Sequence, residues 1–328
     1  MPNPDRPGSV NKGMVLRIAT VAVLLALAIR YGDFAKLTPH LNARLLLCMA
    51  LAQPVLLAAI AMMALRFGML ARTPAVPFYP SFKAMLLSVG LNALLPGRLS
   101  ELLKVSYLRD HAGVSTTSGM AALFLERLSD VVILGMLALA SLSLLLLDTA
   151  WVTLALMLAA MALLLALPRL EKPLVALAQR LPGPALRDIV ERFFLQLAAR
   201  VRDPLFYRSF LYGVAAWLLS WASVAVVVHL AGSIPIGLLG GLTVFIATTL
   251  GQAVPALPGG FGTYEAAAVI ALKGFGYDFD QALALALALH VSQILGTLGI
   301  ALVIASTEKI GLATLLRQAI RFVRQPPR

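Results

Sequence analysis

The sequence predicts an all-α polytopic membrane protein: six spanning helices and two opposed re-entrant helical hairpins, arranged as an inverted repeat. Three observations predict it. Of the 328 residues, 60 % are hydrophobic and 13 % are charged, with mean hydropathy +0.89, whereas soluble domains are about 45–50 % apolar and about a quarter charged. The apolar residues fall in runs long enough to cross a bilayer, which takes about 20 residues of helix. The basic residues gather at particular ends of those runs, as the positive-inside bias of membrane helices requires.

The segment up to Gly13 is polar, with Arg6 and Lys12 ahead of the first apolar run. That run, 14–29, is followed by Arg30, Tyr31 and Gly32. These make a poor cleavage site, so the run is expected to be a retained first span, with a cleaved signal as the lesser alternative. Further spans are expected over 45–65, 121–147, 151–167, 210–230 and 282–305. Two other apolar stretches are broken. Residues 82–95 end at Pro96-Gly97 and resume over 98–108, and residues 236–254 end at Pro258-Gly259-Gly260 and resume over 261–275.

Charge decides how the broken stretches run. Arg66 with Arg72, the basic set from Arg169 to Arg208, and the tail from Lys309 to Arg328 are all expected on the cytoplasmic side. If 82–95 crossed alone, the set from Arg169 to Arg208 would land outside. The conflict disappears if 82–108 is a hairpin that enters and returns on the cytoplasmic side, and 236–275 one that enters from the outside. Broken backbone at membrane depth is tolerated where protein buries it or it lines a watery cavity. The expected layout is one transmembrane domain, 1–328, with halves 14–147 and 151–306. It carries a cytoplasmic amphipathic segment, 168–208, a basic tail, 307–328, and both termini in the cytoplasm. Within 186–202 and 312–324, apolar and basic faces oppose each other. Each suits either an anionic leaflet or packing on the bundle.

Lys and Arg total 27 against 15 Asp and Glu, a net +12. Lying beside apolar runs, these charges point to anionic lipid headgroups at the cytoplasmic face and not to nucleic acid, for which no module is present. The single cysteine, Cys48, sits in an apolar run and forms no intrachain disulfide. No metal-ligand cluster, cofactor motif or phosphate-binding loop is present, so no cofactor or metal is expected. Nothing decides between a monomer and a homodimer.

A motif occurs in both halves. Gly90, Asn92, Leu95-Pro96-Gly97, Arg98 and Glu101 parallel Gly251, Gln252, Leu257-Pro258-Gly259, Gly260, Gly262 and Glu265. A polar cluster follows deep in the next span: Glu126, Arg127 and Asp130 in the first half, His290 and Gln293 in the second. Pro cannot continue the incoming helix and Gly permits the turn. The outgoing half-helix then presents unpaired N–H groups and a positive dipole end, which bind anions. Arg98 adds a bidentate phosphate partner. Ionisable groups inside a membrane face a cavity or a partner. The plainer alternatives are a common tripeptide ending a helix, a structural ion-pair network for the i, i+3 stripe Arg98, Glu101 and Lys104, and Glu126, Arg127 and Asp130 snorkelling at the interface. His290 suits either gating by protonation or hydrogen-bonded packing. Trp217 and Trp221 are expected to be packing.

These same residues carry a resemblance. Asn92 to Glu101, Leu125-Glu126-Arg127 with Asp130, and Leu257 to Gly260 with Gly262 and Glu265 resemble the lysylphosphatidylglycerol synthase transmembrane-region family along nearly the whole chain. That family includes bacterial flippase domains, hopanoid-associated inner-membrane proteins and an archaeal protein linked to lipid glycans. The resemblance implies a lipid flippase fold in the bacterial inner membrane, with Asn92, Pro96, Arg98, Glu101, Glu126, Arg127, Asp130, Gly260, Gly262 and Glu265 around a central cavity. Ser100 stands where the family more often has Gly, and His290 where Arg is common. The synthase members carry a soluble aminoacyl-transfer domain that this sequence lacks, so synthase activity is not expected.

The expected function is transport of an amphipathic lipid, anionic or isoprenoid-derived, with its headgroup at the two hairpin tips. The site would comprise Asn92, Pro96, Gly97, Arg98, Glu101, Glu126, Arg127, Asp130, Pro258, Gly259, Gly260, Gly262, Glu265, His290 and Gln293. Two alternatives stand beside it: a membrane-embedded enzyme acting on lipid headgroups, and a scaffold for a lipid-modifying or glycosyltransferase partner.

Overall fold

The computed structural model describes residues 42–71, 74–95, 99–145, 171–180, 183–254 and 258–308, with isolated positions between 151 and 169. The expected span 14–29, most of 151–167, the tail from 309, and Pro96, Gly97 and Arg98 lie outside the described residues.

Among the described residues the protein is helical, without a strand. Helix α1 (Ala43–Ala71) is followed by α2 (Phe78–Leu91), α3 (Leu99–Ala112) and α4 (Thr116–Leu145). After α5 (Glu171–Ala178) and α6 (Pro184–Arg202) come α7 (Pro204–Ala231), α8 (Gly237–Ala253), α9 (Thr263–Gly274) and α10 (Phe279–Thr307). The long helices start where side chains satisfy free backbone donors. Asn42 Oδ1 accepts the Leu45 N–H at 2.9 Å, Asp203 Oδ1 that of Leu205 at 2.9 Å, and Asp278 Oδ1 that of Gln281 at 2.8 Å. Pro204 in the first turn of α7 loses nothing, because its missing N–H would be unpaired there.

Helices α1, α7 and α10, at 29, 28 and 29 residues, are long and apolar enough to cross a membrane. Helix α4 is as long, at 30 residues, but Glu126, Arg127 and Asp130 interrupt its apolar sequence. The chain is a membrane protein, helical throughout its described elements. Helices α2 and α3 have 14 residues each, roughly 21 Å at 1.5 Å per residue, and α8 and α9 have 17 and 12.

The short helices occupy opposite ends of the long ones. One apolar core joins α2 and α3 to the end of α1 (Phe67, Leu70), the start of α4 (Ala122, Leu125), Phe206 near the start of α7, and Ala301 and Ala305 near the end of α10. The other joins α8 and α9 to the start of α1 (Leu45, Ala52), the end of α7 (Val224, Val228) and the start of α10 (Ala282, Leu285). The pairing also repeats. Helix α1 packs on α2 as α7 packs on α8, α2 on α3 as α8 on α9, and α3 on α4 as α9 on α10. Across the halves, α2 meets α10 as α8 meets α4. At the centre α1 runs along α7, and both bury small residues, among them Ala59, Ala64, Gly213 and Ala216. In lipid, close approach of small residues is what holds helices together.

Two peripheral features bear on the expectations above. The later part of α6 packs on the bundle: Leu197, Ala198 and Val201 are buried, and Arg200 donates to the Ala71 carbonyl at 3.1 Å and to Ser118 Oγ at 2.8 Å. For that stretch the packing alternative holds, while Arg187 and Arg192 are exposed. At the end of α10, Glu308 Oε1 accepts from Lys83 Nζ at 2.5 Å and from the Tyr107 hydroxyl at 2.9 Å, clasping α10 to α2 and α3.

Candidate functional site

Residues of both cores line a cavity of about 800 Å³. Its apolar wall includes Leu56, Ile60, Met85, Phe245 and Ile246. Its polar wall carries Arg66, Lys104 and Arg127 against Glu101, Glu126 and Asp130, so these six charges cancel.

The charges form one network across α1, α3 and α4. Arg66 is 1 % exposed and donates to Asp130 Oδ1 at 2.5 Å and to the Glu126 carbonyl at 2.8 Å. Arg127 meets Asp130 Oδ2 at 3.0 Å, Glu101 at 3.1 Å and Glu126 at 3.4 Å. Lys104 donates to Glu126 and lies 4.4 Å from the Phe67 ring centre. The Trp217 indole N–H, from α7, donates to Asp130 at 2.8 Å. Asp130 lies four residues after Glu126 and three after Arg127, the spacings at which side chains on one helix meet, and Arg127 bridges the two carboxylates. Helix α7 makes room with Gly213: a Cβ there would stand 3.0 Å from Arg66 Cζ.

The second half is built around a broken turn. Pro258–Gly260 is a single 3-10 turn in which Gly259 has φ +67°, a left-handed conformation that favours glycine. At the start of α9 the Gly262 N–H donates to Glu265 Oε2 at 2.7 Å. Glu265 Oε1 lies 2.6 Å from His290 Nδ1, and His290 Nε2 lies 3.0 Å from the Gly259 carbonyl. Tyr264 stacks on the His290 ring at 4.2 Å. A backbone bond joins the two broken pairs: the Gly259 N–H donates to the Asn92 carbonyl at 3.1 Å. Asn92 Oδ1 accepts from Ser100 Oγ at 3.1 Å, joining the end of α2 to the start of α3. A Cβ on Gly259 would stand 3.1 Å from Ala93 Cα, so glycine is also what lets the halves approach.

The lysylphosphatidylglycerol synthase TM region family matches the chain over residues 14–322. The chain belongs to this family. No curated protein and no solved structure matches it significantly. The match of the lysylphosphatidylglycerol synthase TM region runs through α1 to α10 and so takes in the whole cavity.

Of the residues singled out from sequence, Asn92, Glu101, Glu126, Arg127, Asp130, Gly259, Gly260 and Gln293 line the cavity. Glu265 and His290 stand behind Gly259 and Tyr264 and support the wall rather than form it. Gly262 is exposed, and Pro258 opens the turn. Pro96, Gly97 and Arg98 lie outside the described residues. Three expectations change. Arg66, counted with the cytoplasmic positive charges, is buried in the charge network, because Asp130 and the Glu126 carbonyl hold it there. Trp217, expected to be packing, is a hydrogen-bond donor to Asp130. The start of α9, expected to offer its N–H groups to a ligand anion, already holds a carboxylate of the chain's own, Glu265.

Lys104, read from its spacing as part of an ion-pair stripe with Glu101, belongs to the network through Glu126 on α4. Nothing in the sequence pointed to Arg66 or Trp217, since their partner Asp130 is 64 and 87 residues away.

Proposed function

We propose that this protein transports an amphipathic lipid between the leaflets of the bacterial inner membrane, binding the headgroup in the cavity between the two broken helix pairs. One observation carries the proposal: a cavity of about 800 Å³ with polar and charged walls lies between long apolar helices. Polar groups at such a depth are costly, and proteins keep them along substrate pathways. In this account α2 with α3 and α8 with α9 are re-entrant hairpins, each arm too short for a hydrocarbon core of about 30 Å. They enter from opposite faces, as their places at opposite ends of the long helices suggest, and the fold is an inverted repeat of six spans and two hairpins. The first hairpin's end is cytoplasmic by the positive-inside bias, with both termini on that side. The basic segments 168–208 and 307–328 rest against anionic headgroups there.

The described cavity charges cancel, so they suit a headgroup with paired or dispersed polarity. Preference for an anionic or isoprenoid-phosphate lipid rests on Arg98, three residues before Glu101 in the sequence. The protein is a transporter rather than an enzyme in this account. The test is purified protein in vesicles of phosphatidylethanolamine and phosphatidylglycerol, with labelled phosphatidylglycerol or a labelled isoprenoid phosphate placed in one leaflet. The protein should speed equilibration of one of them, and Arg98→Ala or Glu265→Gln should slow it. Unchanged rates in both variants would remove those residues from the site. Vesicles no faster than protein-free ones for either lipid would remove the transport proposal.

A further inference from the structure

The two halves hold the same kind of pair in the same place and differ in one respect. Glu101 is the third residue of α3, and Glu265 the third of α9. Arg127 stands eleven residues after Thr116, the first of α4, and His290 eleven after Phe279, the first of α10. Glu101 meets Arg127 at 3.1 Å, and Glu265 meets His290 at 2.6 Å. In the first half the cation is a guanidinium, which is permanently charged. In the second it is an imidazole, whose charge comes and goes with a single proton.

Hydrogen-bond geometry shows where that proton acts. Both ring nitrogens of His290 face oxygen, Nδ1 the Glu265 carboxylate and Nε2 the Gly259 carbonyl. A carbonyl only accepts, as does an ionised carboxylate, while a neutral imidazole has one N–H to give. The two contacts therefore need one proton more than a neutral histidine beside an ionised glutamate, held on either residue. When it leaves, the remaining N–H goes to the carboxylate, the stronger acceptor. Nε2 is then bare, and the Gly259 carbonyl loses its donor. Gly259 is also the residue whose N–H reaches across to Asn92.

Among the described residues, the ring's contacts other than Glu265 are uncharged. Around the ring stand Tyr264 and Phe261, and Tyr264 lies in turn beside Thr248 and Gln293. Gln252, from α8, donates to the Gly259 carbonyl only at 3.4 Å. Gln53 of α1 is bound to Ser292, close to Ser223 of α7. Across the cavity the cations Arg66, Lys104 and Arg127 are matched by Glu101, Glu126 and Asp130. Glu265, whose side chain is 11 % exposed against 1 % for His290, is the point of exchange.

We propose that the Glu265–His290 pair is a proton-binding site, and that its proton locks the turn at 258–262 against Asn92. Loss of the proton frees the crossing between the halves. Taken with the transport proposal, on which this coupling rests, the second hairpin is the moving one and the proton is the coupling ion. The first hairpin, pinned by Arg127, stays still. The lock itself does not depend on transport.

Hydrogen–deuterium exchange on the full chain in lipid nanodiscs tests it, from about pH 5.5 to about pH 8.5, corrected for intrinsic exchange rates. Peptides covering 88–95 and 258–265 should lose protection about tenfold as pH rises. His290→Arg gives the second half a permanent cation, and its protection should not change with pH. Protection independent of pH in the wild type, or a loss that survives in His290→Arg, overturns the proposal. If that variant does not fold, nitrogen NMR of the wild-type ring decides: Nε2 protonated at low pH and bare at high pH upholds the lock, and an unchanged Nε2 overturns it. A pH-dependent lock with no lipid movement in vesicles would sink the transport account and leave the proton site standing. Lipid movement with constant protection would do the reverse.

Discussion

Replacing Lys104 with Met keeps the side chain's length and removes its charge. The ammonium group is buried between Glu126 and the Phe67 ring, and the two side chains of the pair are 1 % and 3 % exposed. In Lys104→Met the Glu126 carboxylate keeps Arg127 as its nearest cation, at 3.4 Å, too long for a strong charged hydrogen bond. Removing one partner of a buried pair costs about 3–5 kcal/mol, because the other charge stays desolvated. The lower end, about 3 kcal/mol, applies here, since the network borders a polar cavity that hydrates part of the stranded charge. Adding Glu126→Leu removes that charge, and about 2 kcal/mol should return. The assay is reversible unfolding in mixed micelles of wild type, both single variants and the double variant, read as a double-mutant cycle. The reasoning is refuted if Lys104→Met lies within about 0.5 kcal/mol of wild type, or if the double variant loses as much as the two singles added together.

Three further outcomes follow from the same geometry. Trp217→Phe deprives Asp130 of one donor at 2.8 Å but leaves Arg66 and Arg127 in place, so the same unfolding assay should show a loss of about 1 kcal/mol. Gly213→Val drives atoms into Arg66 and Ile133, each 3.0 Å from a Cβ at that position, and should cost about 1–3 kcal/mol. Gly135→Ala, where a Cβ meets nothing within 4 Å, serves as the control. At the end of α10, burial pushes the Glu308 carboxyl up, but hydrogen bonds from Lys83 and Tyr107 outweigh it and hold the group below the usual glutamate range. A depressed carboxylate contributes stability that is present above its unfolded value and lost as pH falls through its folded one. The melting temperature of wild type should therefore exceed that of Glu308→Gln at neutral pH, and the gap should close in acid.

The fold was legible where composition and length decide it. Apolar runs gave α1, α7 and α10, and the Pro-Gly breaks separated α2 from α3 and α8 from α9 within a few residues of their ends. The starts of α7 and α10, which the apolar runs placed some residues late, are set by the caps Asp203 and Asp278. The paired carboxylates were legible too, because Glu101 and Glu265 recur at matched places in the two halves. What the sequence could not convey is which distant groups meet them. Arg66 has the same local signature as any basic residue closing a span, and only the packing of α1 against α4 and α7 turns it inward. The two hairpin tips were expected to share one headgroup. Among the described residues they are joined through Asn92 and Gly259, since a carbonyl freed at the end of α2 needs a donor, and a glycine in the left-handed region can bring one close.

The central claim is that a lipid headgroup occupies the cavity between the two broken helix pairs. An experimental structure of the protein taken from its native membrane without detergent tests this most directly. The account predicts a lipid with its headgroup among Asn92, Glu101, Arg127 and Gly259 and its tails leaving between the long helices. Ordered lipid around the outside of the helices, with the cavity holding water alone, would contradict it.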